Sequence, residues 1–463
     1  MDLTETGFLR ITGESTEAQR EEEERSKLFL QLKPYCLELL ELSQNPKNHS
    51  SAIPALLRLL RSSPPGSLQP FFDYTLFPLL LLLDAAVNCR SSSKKVESNN
   101  TYIRVSDKVA EGVVECLEEL CKKCHPGSVD QMVMILKKLT YAALLSPSEA
   151  SEEFREGVIK CFRALLLSLH PCSNQSCLCK QSLDLPMLLE TRDLQTPTGT
   201  LKHGLEQGEC LLAFLQSEAA SPAVGHWLSL LLKAADTEVT RGHRGSANLR
   251  IEAFLTLRVL VAKVGTADAL AFFLPGVVSQ FSKVLHLSKT IISGAAGSVE
   301  AIDQAIRALA EYLMIVLQDD ANLSGLGMYI DTSVGHNSSN CKSTASFLEE
   351  LRQLPSKAQS KTLMENINGE AANIVSLKTE SGEKGSPDLG KGMGSLYVDR
   401  TKEWIEKTSE HVTKLLRAIF PYICVHQAKK VRHGLLSAIQ GLLLKCNFTL
   451  EKSKVMFLVG SIL

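Results

Sequence analysis

Apolar residues recur every third or fourth position wherever this chain is hydrophobic, and no alternating run of β-branched residues bounded by turns stands among them. A strand places its side chains with a period of two, so a sequence that keeps the longer period cannot satisfy a sheet, and helices must dominate. The clearest stretch runs from Ser298 to Gln318. There Val299, Ile302, Ile306, Leu309, Leu313 and Val316 line one face, while Glu300, Asp303, Arg307 and Glu311 occupy the other. The same stepping passes through Val105, Val109, Val113, Cys116 and Leu120, then through Phe154, Val158, Cys161, Leu165 and Leu169. On this reading each helix buries one stripe and turns a polar face to water.

Short breakers separate the stripes: Ser62 to Gly66, His125-Pro126-Gly127, Leu145 to Ser148 and Arg241 to Gly245. Links this short make neighbouring helices antiparallel, which yields helix pairs of roughly forty residues, the size of HEAT or armadillo units. One pair cannot cover its own apolar stripe, whereas stacked pairs share a continuous core. At 463 residues the chain exceeds what a single globule usually holds. The expected fold is therefore all-α, an α-solenoid of divergent HEAT/armadillo-type helical repeats. Composition sets the expected divisions: a disordered acidic N-terminus over 1–25, a helical-repeat stack over 26–318, a disordered loop over 319–394, and further repeats over 395–463. Arg90 to Thr101, rich in Ser, Lys and Asn, reads as a flexible loop. The stripe from Met456 to Leu463 has no polar capping helix after it, as expected of a chain cut short or alternatively spliced.

Lys and Arg total 50 against 51 Asp and Glu, for a net charge of −1. Such a balance offers no positive field to hold a phosphate backbone, so nucleic acid is excluded as the main partner. Asp2, Glu5 and the run Glu21 to Glu24 are the reverse of a signal or transit peptide, so the expected location is the cytoplasm, with the nucleus second. The most hydrophobic segment, Phe71 to Val87, is cut by Asp73 and Asp84 and reads as a buried helix rather than a membrane span. Thirteen cysteines, an odd number, read as reduced thiols packed as small hydrophobes.

Candidate chemistry is sparse. Cys121-Lys122-Lys123-Cys124-His125 has the spacing of covalent haem attachment, but it closes an amphipathic helix and reads as a helix stop. Cys172, Cys177 and Cys179, with Cys161 or His170 as a fourth donor, could offer soft ligands to zinc. Structural zinc sites are usually built from two paired knuckles, and no second pair is evident. The sequence thus assigns no metal site, and a zinc-stabilised regulatory protein is kept as an alternative. Phosphate-loop, dinucleotide, zinc-protease and serine-hydrolase motifs do not occur. His203, His226, His243 and His286 lack a partnered carboxylate at useful spacing, and Arg241, His243 and Arg244 read as a solvated basic turn. The expectation is no enzyme, no catalytic residue, no cofactor, and a partner surface that no motif marks.

Several segments resemble the N-terminal half of the Tel-two-interacting protein one family, the helical-repeat subunit of the Triple T complex. Gln69-Pro70-Phe71-Phe72-Asp73-Tyr74-Thr75-Leu76-Phe77-Pro78-Leu79 is similar to an early helix of that family, and Phe272-Phe273-Leu274-Pro275-Gly276-Val277-Val278-Ser279 to its most specific signature. Asn248 to Ala253, Val299-Glu300-Ala301, Trp404 with Thr408, and His426 to Leu435 fall in the family's order. The resemblance spans most of Leu28 to Leu444, and the loop details look like those of a plant member. It implies packing roles only: Pro78 and Pro275-Gly276 bend or end buried helices, and Trp404 anchors the core. It also implies a scaffold that joins two sister subunits and, with the ninety-kilodalton heat-shock chaperone, helps phosphatidylinositol-3-kinase-related kinases mature. A karyopherin-like transport adaptor is the alternative within solenoid proteins.

Overall fold

The computed structural model describes residues 5–45, 50–91, 105–172, 174, 177, 179, 210–290, 297–326 and 396–462. Every regular element among them is helical. Two compact units divide the chain, Met1–Met328 with Leu396–Leu463, and Tyr329–Ser395. The second lies outside the described residues, as does most of the 319–394 segment expected to be disordered and nearly all of Arg90 to Thr101.

The first unit is a stack of helix pairs in two layers. Glu5–Gln44 (α1) pairs with Ala52–Ser62 (α2), and after a short turn at Pro65–Leu68 (α3), Phe72–Ser91 (α4) pairs with Asp107–Lys123 (α5). Val129–Ala143 (α6) pairs with Glu152–Ser168 (α7); the short Leu211–Gln216 (α8) then precedes Ser221–Thr240 (α9), which pairs with Ala247–Val264 (α10). Ala267–Ala271 (α11) leads to Leu274–Thr290 (α12) on Val299–Val316 (α13), and Asp319–Leu326 (α14) ends the run. Lys402–Cys424 (α15), Lys429–Lys445 (α16) and Lys454–Ile462 (α17) complete the unit. In the second layer α2, α5, α7, α10, α13 and α16 each pack on the next; in the first, α1, α4 and α6 do so, α8 touches both α6 and α9, and α9, α12, α15 and α17 continue. The chain on either side of 327–395 thus builds one unit, with α15 on α12 and α16 on α13.

Local chemistry explains where the helices start. Hydroxyls of Ser106, Ser128, Ser151, Ser246, Ser298 and Thr401 accept from the backbone N–H three residues on, satisfying donors that a helix start leaves open. The end of α2 is held from across the stack, because Lys123 Nζ donates to the carbonyls of Leu60, Arg61 and Ser63 at 2.6, 2.6 and 2.8 Å. The stripes through α5 and α7 are buried as the spacing predicts.

Four expectations need revision. The one-stripe rule fails for α10 and α13, which are covered on several sides; in α13 even Asp303, Gln304 and Glu311 are 1–2% exposed. Beyond its two layer neighbours and its partner in the other layer, α10 also packs on α8 and α11, and α13 on α11, so more than one face of each is covered. The acidic N-terminus is helical from Glu5, continuing a helix whose later turns bury Leu28, Leu32, Cys36 and Leu39. Glu is a good helix former, and Glu23 pairs with Lys27 at 2.9 Å on the exposed side. Asp319, placed in the disordered loop, opens α14 and accepts from the N–H groups of Phe448 and Thr449 at 2.9–3.1 Å. Finally Trp404 is only half-buried, and the tryptophan in the core is Trp227, stacked on Phe162 with ring centroids 3.7 Å apart. Pro78, expected to bend or end a buried helix, lies inside α4, Pro421 lies inside α15, and Pro275 occupies the first turn of α12, where its missing N–H costs nothing.

Candidate functional site

The buried charged groups are consumed by packing. Arg258 on α10 grips both carboxylate oxygens of Glu311 on α13, at 2.9 and 2.7 Å, and donates to Gln304 Oε1 at 2.5 Å. Arg155 on α7 reaches Glu238 on α9 at 2.6 Å, and the same carboxylate accepts from Arg241 and from the Ser246 N–H, both at 2.8 Å. Although burial works against it, these donors leave the Glu238 carboxyl below its ordinary range. Arg163 on α7 pairs with Glu252 on α10, and at the surface Lys430 on α16 pairs with Glu300 on α13. Each such carboxylate already has its partner on an adjacent helix, so these groups fix helix order and are unsuited to proton transfer. Arg241, expected in a solvated basic turn, is instead drawn to Glu238, while His243 and Arg244 are exposed. His226 and His286 are exposed, and His203 lies outside the described residues.

The hydrophobic segment around α4 behaves as the sequence predicts. Pro65–Ser91 is long and apolar enough to cross a membrane by length and composition. Yet Phe72, Leu76, Leu79, Leu82 and Leu83 are buried in the stack, and Asp73 and Asp84 meet Gln131 and Lys138 of α6. Apolar side chains remain exposed along the same layer: Leu30 on α1, Phe77 on α4 and Tyr141 on α6 are 69%, 63% and 61% exposed on successive helices. Single exposed apolar residues are ordinary, and these three, one on each of successive helices, are the candidate contacts for a protein partner.

Cysteines fall into two groups. Cys121 and Cys124 are core residues, and burial pushes both thiols up to about 12. Their neighbour His125 donates its N–H to Gln69 Oε1 at 3.0 Å and accepts at its carbonyl from Gln69 Nε2 at 2.9 Å, so the haem-like spacing serves as a joint between helix turns. Cys161 is likewise buried, its thiol donating to the Val114 carbonyl at 3.2 Å.

The second group gathers beyond α7. The chain turns so that the Cys177 N–H donates to the Asn174 carbonyl at 3.3 Å, and Cys172 and Cys179 approach to 3.5 Å. Cys210, directly before α8, completes the cluster, and the four sulfur atoms all lie within 4.8 Å of one another. Neither Cys161 nor His170 joins them; His170 is exposed. Cys210 is the member that sequence reasoning missed, because residues 180–209 separate it from the others and it stands alone in its segment. The Cys179 backbone N–H, with the neighbouring thiols, holds Cys177 down at about 7, while burial pushes Cys179 up to about 12. Four sulfurs at this spacing cannot all ionise unless a cation sits among them.

A two-layer stack of helix pairs, its internal charges spent on holding the helices in order, defines a helical-repeat scaffold. The sequence model of the TTI1 N-terminal TPR domain matches residues 29–185 and 199–462. The chain belongs to the Tel2-interacting protein 1 family, a family of helical scaffolds that work through protein–protein contact. Neither a curated protein nor a solved structure matches it.

Proposed function

We propose that this chain is a non-catalytic scaffold of a Triple T-like complex, binding two sister subunits and, with the ninety-kilodalton heat-shock chaperone, supporting the maturation and stability of phosphatidylinositol-3-kinase-related kinases. Its proposed place of work is the cytoplasm and the nucleus. The family match along nearly the whole stack carries the reading. Two features of the stack support it: buried carboxylates already paired with arginines, which leaves them poor acids or bases, and the large apolar side chains exposed on α1, α4 and α6. The test is affinity purification of the tagged chain from its own cells, with mass spectrometry of what co-purifies. Both sister subunits are expected with the wild type. Phe77→Glu with Tyr141→Glu should lower their recovery without shifting the thermal midpoint, since both side chains face water. Recovery of general chaperones alone with the wild type would sink the proposal.

A further inference from the structure

From the cysteine cluster we infer that Cys172, Cys177, Cys179 and Cys210 are the four ligands of one structural zinc ion, which ties the chain leaving α7 to the chain entering α8. In a tetrahedral tetrathiolate with zinc–sulfur bonds of about 2.3 Å, each pair of sulfurs stands ~3.8 Å apart. The observed cluster is at that scale for every pair, with Cys172 and Cys179 at 3.5 Å and no pair beyond 4.8 Å. Thiols packed merely as small hydrophobes have no reason to converge four at a time. Among the described residues this is the one group of cysteines whose sulfurs all converge in this way, whereas Cys116, Cys161 and Cys446 each donate to a backbone carbonyl. None of the four is in a disulfide. Four thiolate donors this close together suit a four-coordinate site and favour zinc over hard ions such as calcium and magnesium. Binding is ligand exchange without redox change: four thiols become four thiolates, their protons pass to solvent, and the site carries a net charge of −2.

The position gives the ion its work. In the first layer α8 is the element that touches both α6 and α9, and it has only six residues. So short a helix has little intrinsic stability. It docks by burying Leu212 and Leu215 and by a Gln216 Nε2 bond to the Lys263 carbonyl at 3.0 Å. A metal at Cys210, directly before α8, ties the start of that helix to the chain just beyond α7, where the Leu169 carbonyl accepts from Lys263 Nζ at 2.6 Å. Metal binding also closes the connection from Cys179 to Cys210, so that ion affinity becomes folding free energy.

The experiment uses the full chain, purified with a thiol reductant and no chelator. Elemental analysis should find one zinc per chain, retained in Cys89→Ser and lost in both Cys177→Ser and Cys210→Ser. Because either cluster variant could fail to fold, wild-type protein stripped by a chelator is also titrated with Co²⁺. It should develop thiolate-to-cobalt charge-transfer and tetrahedral d–d bands that saturate at one equivalent and are bleached by Zn²⁺. Reduced wild type with neither zinc nor the cobalt spectrum overturns the assignment. So does full zinc content in Cys210→Ser, or a chain mass showing the four cysteines joined in disulfides.

Discussion

Glu311 shows how far a residue's role can depart from what its neighbours in sequence suggest. It falls on the polar side of the α13 period, and by periodicity alone belongs to water. In the folded chain it is 1% exposed and holds the guanidinium of Arg258, which is itself fully buried. Helical spacing reports which side chains share a face and says nothing of what covers that face, so this reversal was not legible. A buried pair adds little net stability over apolar residues of the same size, but removing one partner strands the other charge. Glu311→Ala is therefore expected to cost about 3–5 kcal/mol in urea denaturation, whereas Arg258→Met with Glu311→Leu should recover most of that loss. A Glu311→Ala loss under about 1 kcal/mol, the range of an exposed pair, would contradict the burial described.

At the scale of elements, second-layer helices approach closely because small residues face their neighbours. A Cβ on Gly157 of α7 would lie 2.6 Å from Cγ1 of Val114 on α5, and one on Gly434 of α16 would lie 2.0 Å from Oδ1 of Asp303 on α13. Gly157→Val should therefore destabilise the chain by about 1–3 kcal/mol through overpacking, read as a lower denaturation midpoint. Gly276→Ala is the matched control: nothing stands within 4 Å of its added Cβ, and alanine favours a helix over glycine by about 1 kcal/mol, so stability should hold or rise. Equal losses in both variants would mean that the helices do not pack this closely at Gly157. The helices themselves were readable from the sequence, since Ser and Thr caps and Pro-Gly breakers act within a few residues. Their close approaches were not, because a glycine inside a helical stripe looks the same whether it faces a neighbour or water. Cys210 was hidden for the same reason, being a partner brought in from beyond a long connection.

Across the whole molecule, the all-helical stack was legible because its period recurs in nearly every hydrophobic segment, whereas the neighbours α16 finds on α13 depend on contacts across 327–395 that no local pattern encodes. The stack's shared core also produces a property that no single pair would show. Burial pushes the Cys36 thiol up to about 11 and those of Cys116, Cys121 and Cys124 up to about 12, from an ordinary 9.0. A group whose pKa is higher folded than unfolded contributes stability that is complete below its unfolded value and is lost as pH rises through the folded value. Lys263 acts in the opposite sense, since burial lowers it from 10.5 to about 8 and its contribution grows as pH climbs between those values. One lysine stands against several thiols, so the urea midpoint should fall from about pH 9 to about pH 11. Cys121→Ala with Cys124→Ala removes two of the opposing thiols; whatever the cavities cost at neutral pH, the slope over that window should flatten. A wild-type midpoint that stays level across it would mean that these thiols ionise in the folded chain, and hence that water reaches the interface between α5 and its neighbours.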